Sequence, residues 1–137
     1  MAGEITQNLE AFGAGRKLYV LTFTCTADAA DGSYPATAIS TTYMNLIKGW
    51  ELSKIQTIPG STAPKDLSDM TLKDSNAIDI LGGAGTNKIL NAATKEFFPE
   101  VDGNLASQEI NDTLTLAITG NDVNSAIVYI KLFINQK

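Results

Sequence analysis

Histidine is missing from this chain altogether, and cysteine and tryptophan each occur once. Without histidine there is no imidazole to act as general base, to ligate a transition metal or to stand at the centre of a hydrolytic triad. The single Cys25 cannot form an intrachain disulfide, and one thiol without imidazole partners cannot complete a tetrahedral zinc shell. A chain maturing in a reducing cytoplasm is therefore expected, rather than a disulfide-stapled secreted scaffold. Long apolar runs are lacking too. None approaches the ~18 residues of a membrane helix, and the stretch from Met1 to Glu10 carries two acids and no apolar core, so no signal peptide is expected. Positive charge is scarce: ten Lys and Arg stand against fifteen Asp and Glu, for a net charge of −5, and Arg16-Lys17 is the only adjacent basic pair. A phosphate backbone or an anionic membrane needs clustered cations, so neither nucleic acid nor membrane is an expected partner. No catalytic residue, cofactor or metal is expected, and the chain reads as a non-enzyme.

What is present points to strands. At 137 residues the chain fits one domain able to bury a core without staples. Leu114, Leu116 and Ile118 alternate with Thr113, Thr115 and Thr119. Gly120-Asn121-Asp122 then breaks the run, and Val128, Ile130, Leu132 and Ile134 share one face of a last strand with Lys131 on the other. Period-2 alternation of β-branched and apolar residues marks antiparallel strands with one face in a core. The spacing places Leu114, Leu116 and Ile118 on the same core as the four apolar residues of the last strand. Lys17 to Thr26 is apolar or Thr on both faces, as in a central strand. Between Ala36 and Ile55, Tyr43, Leu46 and Ile47 share helical spacing, while Gly49 and the flanks favour strands over 38–46 and 50–58. Pro59-Gly60 and Ala63-Pro64 mark turns. Short strands follow at 70–73 and 77–81, and 89–98 fits either helix or strand until Pro99 stops it; 101–111 reads as a polar loop. The expected fold is all-β, an antiparallel β-sandwich of jelly-roll or Ig-like type spanning 17–137. A short irregular N-terminal arm, 1–16, precedes it. In that arm Ile5, Leu9 and Phe12 sit among polar residues and are the expected contacts with a neighbour.

Three patterns raise chemistry and resolve to structure. Gly82-Gly83-Ala84-Gly85-Thr86-Asn87-Lys88 superficially resembles a phosphate loop, but Lys88 follows Asn87 and precedes Ile89, against the spacing such a loop requires. A broad turn in which glycine supplies positive φ is the expectation. Asp66, Asp69, Asp74 and Asp79 are dense enough to raise calcium, yet match no calcium-loop spacing and read as turn formers on a solvated face. Trp50, beside Gly49 and alternating with Leu52, is a core or subunit-interface anchor, with a sugar-stacking platform as the competing role.

In order along the chain stand Gly49-Trp50-Glu51-Leu52, Pro59-Gly60, Ala63-Pro64, Met70-Thr71-Leu72-Lys73-Asp74, Asp79-Ile80-Leu81-Gly82-Gly83, Asn87, Thr94-Lys95-Glu96 and Pro99. Leu114-Thr115-Leu116, Ile118-Thr119-Gly120-Asn121 and Val123-Asn124-Ser125-Ala126 follow. This series, covering about residues 46 to 135, resembles a family of small virion structural proteins of tailed bacteriophages. The family's usual Gly before the Leu-Thr-Leu strand is replaced here by Asn111-Asp112. The resemblance implies a virion component made in the host cytoplasm, a homo-oligomer that binds the major capsid protein or other virion proteins. A compact, acidic chain without coiled-coil or receptor-tip repeats fits a capsid decoration or cement protein that bridges capsid subunits. The alternative is a tail or baseplate β-sandwich module that binds a host-surface glycan, with Trp50 or the Asp66 to Asp79 loops in its site.

Overall fold

The computed structural model describes residues 2–13, 15 and 17–136. In chain order the elements are β1 (Glu4–Phe12), β2 (Leu18–Thr26), β3 (Thr37–Ala38), α1 (Thr41–Ile47), β4 (Glu51–Pro59) and β5 (Asp69–Lys73). They continue with β6 (Lys95–Phe97), β7 (Glu100–Val101), β8 (Asn104–Leu105), β9 (Gln108–Glu109), β10 (Thr115–Thr119) and β11 (Ile127–Asn135). One six-stranded antiparallel sheet runs β1-β2-β11-β4-β6, with β9 also paired to β4; a three-stranded sheet runs β3-β10-β5, and β7 and β8 form a small hairpin. The fold is all-β and sandwich-like.

The alternating apolar residues meet where the two sheets face each other. Leu21, Phe23, Ile55, Ile130 and Leu132 of the large sheet and Leu72 and Leu116 of the small one are fully buried in one cluster. Leu114, Leu116 and Ile118 thus share a core with Val128, Ile130, Leu132 and Ile134, as their periodicity predicts. They do so across the sandwich. β10 pairs with β3 and β5, while β11 pairs with β2 and β4. The Gly120-Asn121-Asp122 break is a crossing between sheets, held by Asn121, whose Oδ1 accepts from Lys65 N and whose Nδ2 donates to Gly32 O. In β4 the buried residues Leu52 and Ile55 are three apart, which a regular strand cannot place on one face. A bulge solves this: the register against β11 shifts between Phe133 and Ile134, leaving Ser53 as the extra residue, its hydroxyl donating to Phe133 O at 3.1 Å.

Four expectations are corrected. Residues 4–12 are not an irregular arm but a nine-residue strand paired with β2 along its whole length, from Glu4 opposite Thr26 to Phe12 opposite Leu18. The polar alternation that hid it arises because an edge strand covers the core with only Ile5, Gln7 and Leu9. The rest of that arm expectation, at Met1, Ala14 and Arg16, lies outside the described residues. Residues 41–47 are helix, not strand. Ser40 caps them by accepting from Tyr43 N at 3.3 Å, and Met44 and Ile47, one turn apart, are buried. Residues 77–81 form no strand, only an isolated bridge from Asp79 to Lys73, and 101–111 carries the short strands β8 and β9 rather than a plain loop. Among the open alternatives, 89–98 supplies the short strand β6.

Candidate functional site

A sheet exposes its backbone only at its edges, and natural β proteins close them. Three of the four edges of the two main sheets are closed. Along β5, loop 79–89 takes up the outward groups: Met70 N donates to Gly85 O, Leu72 N to Asp79 Oδ1, Ile80 N to Leu72 O, and Ser68 and Ile89 exchange both bonds. The two-residue β3 is covered by the Gln7 side chain, whose Nε2 donates to Ala38 O at 2.8 Å and whose Oε1 accepts from Ser40 N at 3.0 Å. The far edge of the large sheet is broken into β6, three residues carrying Lys95 and Glu96, and β9, two residues. The fourth edge is β1. It is nine residues long, holds neither proline nor lysine, keeps an unbroken register with β2, and pairs with no other strand among the described residues.

The residues expected to make contacts do not form one surface. Ile5 and Leu9 point inward from β1 and pack half-buried against the core. Phe12 points outward and is 45% exposed. It borders a groove of about 330 Å³ with Leu18, Val20 and Phe133, rimmed by Glu10, Thr22 and Lys131. Lys54 closes the far side, its Nζ 4.4 Å from the centre of the Phe133 ring and 3.3 Å from Glu96. Trp50 is half-buried where α1 leads into β4, its ring centroid 4.6 Å from that of Tyr19. Trp50 thus packs against an aromatic ring of its own chain, the two planes tilted by 37°. The groove was legible in principle, since Lys131 and Phe133 alternate with the buried residues of β11 and Leu18 and Val20 with those of β2. The missing signal was the pairing that sets β1 beside them.

A second concavity, about 600 Å³, is lined by carboxylates including Asp74, Asp79, Glu100, Asp102 and Asp112. Its lining holds no aromatic, no cation and no hydroxyl or thiol nucleophile. The carboxylates serve the backbone. Asp74 Oδ1 accepts from Asn76 N and Ile78 N, and Asp112 binds the hydroxyl and N–H of Ser75. The Ser75 hydroxyl, then the N–H groups of Ser75 and Thr113, hold the Asp112 carboxyl below its usual range, the wrong direction for a general acid. Outside the cleft, Asp66 accepts from Asn91 N and Asp69 from Asn87 N. All four aspartates of the 66–79 series are therefore loop clamps, and no group of three acidic or thiol side chains suited to a metal occurs among the described residues.

The glycine run has a steric reason. A Cβ on Gly82 would lie 1.8 Å from Glu100 O, and one on Gly85 would lie 2.1 Å from Met70 O, so 82–85 packs backbone against backbone. Asp79 organises this loop, accepting from Leu72 N, Leu81 N and Gly83 N at 3.0 to 3.1 Å. Asp79→Ala strands these donors and is expected to lower stability by ~1–3 kcal/mol in urea titration, with Asp79→Asn recovering part. An unchanged midpoint would show that the clamp carries no energy. No known protein family, curated protein or solved structure matches the chain.

Proposed function

We propose that the chain is a non-enzymatic structural component of a tailed-phage virion, a capsid decoration or cement protein that bridges capsid subunits, with its β1 edge as a surface for assembly between protein chains. The observation that carries the assembly role is the contrast among the edges of the two main sheets: three closed by loops, side chains or shortness, one long and open. An open edge accepts a strand from a neighbour, main-chain bonds supplying affinity and the flanking side chains specificity. The apolar groove behind Phe12 adjoins that edge and supplies side-chain contact area. The virion context is supported by the ordered motif series over 46 to 135. The glycan-binding alternative is the weaker reading, because Trp50 packs against Tyr19 and the acidic cleft has no aromatic lining.

Quantifying the chain in purified particles produced by its own genome tests the role. Stoichiometry matching the capsid subunits is expected of a decoration protein, whereas a small number set by ring symmetry would place it on the tail or neck. A chain left wholly in the soluble fraction, absent from particles, would overturn the virion assignment.

A further inference from the structure

We infer that two copies of this chain pair antiparallel through β1, joining their six-stranded sheets into one continuous sheet across a two-fold axis at Asn8. The inference rests on reading the β1 edge as the assembly surface, and goes further by naming what occupies it.

The register follows from parity and charge. A two-fold axis perpendicular to the sheet keeps core face continuous with core face, so facing residues must have the same parity along the strand. One such register pairs all nine residues of β1, Glu4 through Phe12. It sets Asn8 against the partner's Asn8, Gln7 against the partner's Leu9 and Ile5 against the partner's Ala11, all compatible with their faces. On the outer face Glu10 meets the partner's Thr6, and Glu4 meets the partner's Phe12. The two acids of the strand therefore never face each other directly. Sliding by two residues to centre on Gln7 would set Glu4 against the partner's Glu10 twice, and like charges directly opposite are unfavourable. Phe12, 45% exposed in the single chain, gains cover from the partner's Thr6 and the stem of the partner's Glu4. A pairing of one strand with itself is the isologous contact that closes a two-fold dimer without propagating into fibres.

Sedimentation of the full chain is expected to show a two-chain species, and cysteine placement reads its register. Directly facing residues have Cα atoms ~4.5–5.5 Å apart, inside disulfide range, so Asn8→Cys is expected to give covalent dimer as the main product of mild oxidation. Thr6→Cys places the two thiols roughly 13 Å apart along the strands and is expected to give almost none. The native Cys25 is buried and does not compete. Thr6→Glu sets a carboxylate against the partner's Glu10 at two places per dimer and is expected to weaken dimerisation about tenfold, while Thr6→Lys preserves it. Equal cross-linking at positions 6 and 8 overturns the inference, as does a dimer that ignores Thr6→Glu but is split by Phe133→Ala, the mark of face-to-face packing. A monomeric chain that still mounts on particles overturns it too, while leaving the virion role standing. A dimeric chain absent from particles supports the pairing and removes that role.

Discussion

Leu116→Ala is expected to lower the unfolding free energy by about 2–5 kcal/mol. Leu116 is fully buried in β10, beside its register partner Leu72 on β5 and in the same cluster as Leu132 and Ile130 of the large sheet. Truncation removes three carbons from a site walled on both sides by sheets. Neither sheet collapses freely into the void, because each is held by ladders on other strands, so the cavity term adds to the lost transfer energy. Phe12→Ala, on the outer face, is expected to change stability far less despite deleting more atoms. Urea titration of both variants checks the pair, and an unchanged midpoint for Leu116→Ala would refute the placement of β10 in the core.

The second large effect is expected at alkaline pH. Burial pushes the Cys25 thiol up to about 12, against an ordinary value of about 9. Between those values the unfolded chain releases a proton that the native chain retains. The stabilisation is intact below about pH 9 and is lost as pH rises towards 12, at about 1.4 kcal/mol per pH unit, reaching roughly 4 kcal/mol. Tyr34 acts in the same direction. Its phenol is raised by burial first and by the neighbouring Cys25 second, and its hydroxyl donates to Ala126 O at 3.1 Å, tying the 27–36 loop to the start of β11. Stability measured in urea across this range is expected to fall steeply in the parent protein. In Cys25→Ala the early part of the fall is expected to flatten, whatever that substitution does at neutral pH. An identical slope in both proteins would show that the thiol proton is not held by the fold.

Alternation made β10 and β11 legible, because a half-buried strand writes its burial directly into every second residue, and β2 was legible from residues apolar or Thr on both faces. The same rule failed at β1, where Glu, Thr, Gln and Asn surround Ile5 and Leu9. An edge strand buries one side of one face, so little of its sequence must be apolar. It failed again at Thr41–Ile47, where Gly49 and the flanks suggested strand but the Ser40 cap and the burial of Met44 and Ile47 favoured a seven-residue helix. The spacing of Leu52 and Ile55 violates strand period and becomes intelligible only with the bulge at Ser53.

Sequence alone determined the all-β class, the shared core of Leu114 to Ile118 with Val128 to Ile134, and the poverty of catalytic side chains, since composition and period-2 burial are local properties of the chain. Tertiary structure decided that β10 and β11 lie in opposite sheets, that Trp50 rests on Tyr19, and that the aspartates clamp loop backbone. It alone decided which sheet edge stays open. Whether an edge is closed depends on what distant segments bring to it, loop 79–89 to β5 and Gln7 to β3, and long-range pairing of that kind leaves no periodic trace in the residues it joins.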